Sequence, residues 1–272
     1  ELSSGSVTTT KLIPYTKSLK KEFQKAIATW LYDLYTKRKL LQQGRAYWSI
    51  TPAHQQQRTE TGITIGFEED SAYFGFLRKH IIDSIMSVPK EVKNIQDFDT
   101  FRYVTFLFLL RDRNISFISI WNPTFLSILL EIFDKRQKEL IMDIERGTLS
   151  SNLKLENGLR KKLEIYLKKD KKRAYEISRI VVEQHQAKSL YELLLPQLQM
   201  ISCWTDAHAN DYLYTIRDLF PHVEIQGKGL IATEGIISFP LFGEKAPILA
   251  INSHFYEFIS ITTGEIKLAH EL

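Results

Sequence analysis

The 272-residue sequence predicts an α/β fold with mixed sheets flanked by helices, and three observations carry that prediction. Segments with apolar residues at helical spacing alternate with short runs of β-branched and aromatic residues. Glycine, proline and short polar clusters punctuate the changes. Hydrophobic residues make up 44% and charged residues 25%, with 16 Phe, 12 Tyr and 4 Trp, so the chain can bury a sizeable core and a disordered chain is excluded.

Thr16 can cap a long helix over about 17–42, in which Leu19, Phe23, Ile27, Trp30, Leu31 and Leu34 recur at helical spacing and which Gly44 ends. Residues 46–50 read as a strand stopped by Pro52. The polar stretch 51–71, with Gln55, Gln56 and Gln57, reads as a long surface loop, and loops of that length in compact domains are often functional. Helices are expected at about 73–87 and 97–111, a strand at 115–120, and a helix at 124–146 after Pro123, which completes one βα unit. Further on come a strand at 198–203, a helix at 207–220 opened by Thr205 or Asp206, and a short strand at 223–225. Strands at 236–239, 248–252 and 255–259, separated by short turns, suggest an antiparallel or mixed region.

Residues 153–188 differ in character. Lys161, Lys162, Lys168, Lys169, Lys171, Lys172 and Arg173 crowd around Leu163, Ile165, Tyr166 and Leu167. Two readings compete: a basic face for nucleic acid or a membrane surface, and a solvated helical pair over the core. Glu164, Asp170 and Glu176 are interspersed and dilute a single-sign field, which favours the second. The net charge of +4, from 36 basic and 32 acidic residues, is too small to argue for a nucleic-acid partner.

Cys203 is the only cysteine, so no disulfide framework exists and a reducing, cytoplasmic compartment is expected. Its setting, residues 200–204, reads as a buried strand and hence a structural thiol. No stretch approaches the ~20 apolar residues of a membrane span; the longest, 101–110, is too short and contains Arg102. No apolar leader follows Glu1, and a chain that opens on Glu1-Leu2 directly before a candidate motif reads as a piece of something longer.

Two stretches carry chemistry. In Ser3-Ser4-Gly5-Ser6-Val7-Thr8-Thr9-Thr10-Lys11, backbone N–H groups and hydroxyls can face a phosphate chain while Lys11 supplies a point charge. With one glycine it is not a P-loop, and a frayed Ser/Thr-rich terminus is the competing reading. In Gln226-Gly227-Lys228-Gly229-Leu230-Ile231-Ala232-Thr233-Glu234-Gly235, three glycines allow close backbone approach to a ligand. The Thr233 hydroxyl can bond a phosphate oxygen and the Glu234 carboxylate suits Mg²⁺, although a Thr-Glu pair equally reads as a turn. Trp48, Trp121 and Trp204 end predicted strands, where they can wall an apolar pocket or simply pack. Arg58 can meet a carboxylate, and His54, His208 and His254 can serve as bases, but no spacing pairs them and bland roles are preferred. No His/Cys cluster supports zinc and no Gly-x-Ser-x-Gly elbow supports a serine hydrolase.

Together, Ser-Ser-Gly-Ser, Lys11-Leu12-Ile13-Pro14-Tyr15-Thr16 and the downstream Ala-Thr-Glu-Gly resemble the adenylate-forming superfamily of acyl-CoA synthetases and luciferases. More closely, the chain is similar to the auxin-responsive acyl-acid amido synthetases and their bacterial relatives. Tyr47-Trp48-Ser49-Ile50-Thr51-Pro52, Leu219-Phe220-Pro221, Ser253-His254-Phe255-Tyr256-Glu257-Phe258 and Leu268-Ala269-His270-Glu271-Leu272 extend the match in order. The resemblance implies ATP-dependent activation of a small carboxylic acid as an acyl-adenylate, then amide formation with an amino acid. By that resemblance, Ser3, Ser4, Gly5, Ser6 and Lys11 form the phosphate-binding loop. Thr233 holds the α-phosphate, Glu234 coordinates Mg²⁺, and Gly227, Gly229, Leu230 and Ala232 line the adenine side.

The chain departs from the family where a second glycine is common in the first motif, and at Leu230, where many relatives place an adenine-stacking tyrosine. The resemblance further implies an incomplete large domain over 1–272, with a helical basic insertion at about 153–188 and the smaller C-terminal domain absent. Taken alone, such a segment is expected to be inactive. An acyl-CoA ligase, a non-catalytic nucleotide- or acid-binding relative, and a basic interaction module at 153–188 are the alternatives. The acid, the acceptor amine and the oligomeric state are not readable from the sequence.

Overall fold

The computed structural model describes residues 13–49, 57–58, 64–65, 85–183 and 189–272. In chain order the first elements are α1 (Lys17–Lys37), α2 (Lys39–Gln42), β1 (Arg45–Trp48), β2 (Gln57–Arg58) and β3 (Thr64–Ile65). After them come α3 (Phe98–Arg111), β4 (Ile115–Ser119), α4 (Pro123–Arg146), α5 (Asn157–Glu164), α6 (Lys171–Glu183) and α7 (Leu190–Leu194). The last part holds β5 (Met200–Cys203), α8 (Leu213–Leu219), β6 (Glu224–Gly227) and six short strands: β7 (Ile231–Ala232), β8 (Gly235–Ile236), β9 (Ser238–Phe239), β10 (Ile248–Leu249), β11 (Glu257–Ile259) and β12 (Ile266–Leu268). The described residues divide into two compact units, one of 13–37, 57–58, 64–65 and 228–272, the other of 38–49, 85–183 and 189–227.

The second unit is built on a four-stranded sheet of order β1-β4-β5-β6, parallel throughout. Its central strands are buried from end to end, as strands covered on both faces must be. The register sets Tyr47, Ile118, Ile201 and Ile225 in one row; the first three belong to the main apolar core and the half-buried Ile225 packs against it. By the alternation of a strand, the next row, Trp48, Ser119, Ser202 and Gln226, points to the opposite face.

The helix α3 is apolar all round and almost wholly buried, which is why its run of phenylalanines and leucines is a core helix. Asp97 caps it, accepting from the Thr100 N–H at 2.9 Å. Asn122 and Pro123 start α4 in the same manner, and Gly147 ends it in the left-handed conformation at φ 71°. A buried polar node ties the two helices: the Tyr103 hydroxyl donates to Asp143 at 2.8 Å, and the Ser150 N–H and hydroxyl donate to the same carboxylate oxygen. Burial pushes the Asp143 carboxyl above the ordinary range, opposed by these bonds. Leu163, Leu167, Ala174 and Ile177 set α5 and α6 into the core, so the basic segment is a helical pair over it.

In the first unit, Thr16 caps α1 by accepting from the Leu19 N–H at 3.1 Å, and Phe23, Ala26, Trp30 and Leu34 form its buried stripe. That stripe packs on β8. The strands β2–β3, β7–β8, β9–β10 and β11–β12 pair as antiparallel ribbons. Among the described residues no helix is long and apolar enough to cross a membrane.

The α/β class stands, with parallel and antiparallel pairing segregated into separate sheets. Three element boundaries differ from the sequence reading. The helix expected over 17–42 breaks at Arg38, whose φ of −117° and ψ of 86° are not helical, and whose guanidinium instead pairs with Glu224 at 2.6 Å. The stretch 51–71, read as loop, contains the β2–β3 ribbon. The helix expected over 207–220 opens as a 3-10 turn, with Ala207 at φ 50° and no side-chain cap from Asp206. Most of the helix expected at 73–87 lies outside the described residues.

Candidate functional site

Thr233 and Glu234 are the two-residue tip of the β7–β8 hairpin, in which Ile231 faces Ile236 and Ala232 faces Gly235. Both readings of this pair, a turn and a projecting strand end, are thus true of one structure. Thr233 is half-buried and Glu234 exposed. Among the described residues the Glu234 carboxylate has no ion-pair or hydrogen-bond partner, so its oxygens are available.

The hairpin is held from both sides. Gly229 enters it at φ 74°, where a β-carbon would lie 2.6 Å from the Ser238 carbonyl oxygen, so glycine is required twice over. The Ser238 hydroxyl accepts from the Leu230 N–H at 2.9 Å, and the Leu230 carbonyl accepts from the N–H groups of Ile237 and Ser238 at 2.9 and 3.2 Å. Behind the tip, the Ile236 carbonyl accepts from the hydroxyls of Tyr256 (2.9 Å) and Ser253 (3.2 Å). The His254 imidazole lies against Gly235, where any β-carbon would overlap the ring. Among the described residues its Nε2 is buried without a hydrogen-bond partner, and the ring serves here as a packing surface. Leu230 is 60% exposed and offers an apolar face beside the turn. Lys228 is buried, with its ammonium 5.2 Å from the centroid of the Trp30 ring.

The second unit brings together a different part of the expected site. Trp121 and Trp204 follow β4 and β5 at the carboxyl end of the parallel sheet, the end where open α/β sheets bind ligands. Their ring centroids are 5.6 Å apart at 51°, and the Trp204 N–H donates to the Trp121 carbonyl at 2.8 Å. Trp48 ends the neighbouring β1. Gly227 ends β6 opposite Cys203; a β-carbon there would sit 2.5 Å from the Thr205 hydroxyl. The Ser202 hydroxyl, one residue before Cys203, is fully buried and has no hydrogen-bond partner among the described residues. Cys203 is fully buried, as a structural thiol should be.

Gly229, Leu230, Ala232, Thr233 and Glu234 thus share one hairpin, while Gly227 and the tryptophans belong to the sheet edge of the other unit. Ser3, Ser4, Gly5, Ser6, Lys11 and His54 lie outside the described residues, and only the backbone strand of Arg58 lies within them. His208 is exposed. His222, not singled out in the sequence, is bound to Glu192 through both its N–H (2.7 Å) and Nδ1 (2.9 Å). Thr205, His254 as a backing group, and the Trp30–Lys228 contact were missed as site neighbours. Only the glycines opposite them, at 227 and 235, signal in the sequence that something approaches closely. Among the described residues no group of three His, Cys, Asp or Glu could hold a metal by itself.

The model of the GH3 family N-terminal domain matches residues 1–225. The chain belongs to the GH3 family. The solved structure of the GH3.15 acyl acid amido synthetase superposes with a TM-score of 0.76 at 16% identity, over 98% of this chain and 46% of that one. The AtGH3.15 acyl acid amido synthetase in complex with 2,4-DB gives a TM-score of 0.79 at 15% identity, over 98% and 47%. This GH3-family chain therefore spans less than half the length of the structures it matches, and at such identity the likeness is one of fold. A search of curated proteins finds no match.

Proposed function

We propose that this GH3-family protein activates a carboxylic acid with ATP and conjugates it to an amino acid. A carboxylate oxygen attacks the α-phosphorus, the bond to pyrophosphate breaks, and an acyl-adenylate forms. The amine of the amino acid then attacks the acyl carbon, gives up a proton, and expels AMP to leave an amide. The observation that carries this reading is the Ala232-Thr233-Glu234-Gly235 turn in a chain of this family: a hydroxyl and an unencumbered carboxylate side by side at the tip of a braced hairpin.

Each residue has a role its chemistry suits. The Thr233 hydroxyl donates to an α-phosphate oxygen. Glu234 would hold Mg²⁺: that ion takes one or two protein carboxylates and completes its shell with phosphates and water, so a single exposed carboxylate fits it without an all-protein cage. Bound there, the ion would neutralise phosphate charge as the pyrophosphate departs. Leu230 packs its exposed apolar face on the adenine, in place of an aromatic stack. Ser3, Ser4, Gly5, Ser6 and Lys11 cradle the phosphates, with Lys11 as the point charge. The Trp121–Trp204 pair supplies an apolar wall for the body of the acid. We place the chain in the large, adenylate-forming domain of this enzyme, with 153–188 as a helical insertion, working in the cytoplasm.

The reading is tested by acid-dependent exchange of pyrophosphate into ATP on the full-length protein, using a panel of carboxylic acids. Exchange should require Mg²⁺ and fall at least ~100-fold in Glu234→Ala, the scale expected for one group that stabilises developing phosphate charge. An amino-acid acceptor should then yield an amide; release of the acyl group to coenzyme A instead would make the protein a thioester-forming ligase.

A further inference from the structure

We propose that the corner between α5 and α6 is a docking surface for anionic lipid, which brings the protein to a membrane surface. Lys161, Lys162, Lys168, Lys169, Lys171 and Lys172 are all exposed, and among the described residues none has an ion-pair or hydrogen-bond partner. Most of the acids interspersed with them are held by arginines, and only Asp170, bonded to a neutral N–H, keeps its charge beside the lysines. Glu164 accepts from the Leu149 N–H and lies 3.8 Å from Arg160. Asp170 caps α6 through the Arg173 N–H at 2.9 Å, and Glu176 pairs with Arg113 and the buried Arg173 at 2.9 and 3.1 Å. Glu183 pairs with Arg179. On the adjoining end of α4, Glu145 and Arg146 offset each other in sign.

Two features set this corner apart from an ordinary solvated face. Lys171 and Lys172 occupy the first turn of α6, which contains no acid, and there they oppose the helix dipole. Cations at that end weaken the helix, so their presence is not explained by stability. The corner is also rigid. The Asp170 N–H donates to the Ile144 carbonyl at 3.0 Å and Arg111 donates to the Tyr166 carbonyl at 2.7 Å. Gly147 packs so closely on the Lys169 backbone that a β-carbon would lie 2.5 Å from its nitrogen.

The interleaved side chains choose the partner. Ile165 is 75% exposed and Tyr166 and Tyr175 are also exposed. An aliphatic side chain gives nothing to a base but enters the boundary of headgroup and acyl chain, where tyrosines also settle. On α5, α6 and the turn between them the unpaired cations among the described residues are all lysines, point charges suited to a diffuse anionic surface; the planar arginines there, which favour nucleic acid, are spent on internal pairs.

The test is co-sedimentation of the full-length protein with phosphatidylcholine vesicles, with and without about 30% phosphatidylserine, at two salt concentrations. We expect binding only to the serine-containing vesicles, abolished near 0.5 M salt as screening shortens to about 4 Å. Alanine at Lys168, Lys169, Lys171 and Lys172 together should weaken it at least ~100-fold, since each lysine near an anionic surface is worth roughly fivefold. Ile165→Ser should weaken it further at fixed charge. Neither variant should melt below the parent, the lysine variant melting slightly higher as the helix dipole is relieved, and both should keep the parent's pyrophosphate exchange, which separates this surface from the proposed catalytic site. Equal binding to both kinds of vesicle, or indifference to the lysine substitutions, would overturn the proposal. So would tighter binding to single-stranded RNA than to lipid, with Ile165→Ser without effect.

Discussion

Gly235 shows how one hydrogen atom arranges a site. The His254 ring occupies the space where a β-carbon would stand, and the hydroxyls of Ser253 and Tyr256 grip the next carbonyl, so the Thr233–Glu234 tip is braced from behind. Gly235→Ala must push the ring away, which should cost ~1–3 kcal/mol as overpacking does. Urea unfolding would read that as a lower midpoint at unchanged slope. The double variant with His254→Ala should recover part of the loss, because the clash then has no second partner. The motif around this tip was legible in the sequence because glycine, threonine and glutamate announce their chemistry by type. The brace was not, since His254 lies beyond β10 in the chain and its contact with Gly235 has no local signature. The two tryptophans divide the same way: ends of strands could be read, the 5.6 Å approach of Trp121 to Trp204 could not.

At the scale of elements, a terminus was legible where capping is local chemistry. Thr16 caps α1 and Pro123 opens α4 as their types announce, while Asp97, Asn122 and Gly147 cap without having been singled out and Asp206 makes no side-chain cap. Hydrogen bonds from Thr100, with Lys154 beside it, hold the Asp97 carboxyl below its ordinary value of 3.8. The sign follows: a lowered folded value means the cap stabilises above about pH 4 and its contribution disappears as pH falls through the depressed value. Asp97→Ala should therefore cost about 1 kcal/mol near neutrality and nothing in strong acid, as urea titrations at several pH values would show. The break at Arg38 escaped the sequence reading because the apolar spacing runs on to Leu41, yet Arg38 pairs with Glu224 of β6, a partner far away in sequence. Arg173 is the sharpest instance. It looked like one more cation of a basic run, but it is buried, donating to the carbonyls of Leu110 (2.9 Å) and Leu194 at the ends of α3 and α7. Arg173→Ala leaves these acceptors and Glu176 without their partner, and a loss of about 3–5 kcal/mol is expected in chemical denaturation, against well under 1 kcal/mol for Lys172→Ala beside it.

For the molecule as a whole, composition and alternation were enough to give the α/β class, while the strand order β1-β4-β5-β6 and the division into two units are long-range facts with no local signature. The central strands could be recognised because burial on both faces makes them continuously apolar; the two-residue strands near the end could be placed only as a region of turns and pairs. The GH3 family match runs over residues 1–225, and the proposed function assigns the Ser3–Lys11 loop and the Thr233–Glu234 turn to one reaction. Acid-dependent exchange of pyrophosphate into ATP by the full-length protein tests the proposed reaction most directly. Exchange should need both the acid and Mg²⁺ and fall at least ~100-fold in Glu234→Ala with the fold intact. Exchange undiminished in that variant, or none with any acid from a protein that binds ATP and is folded, would contradict it.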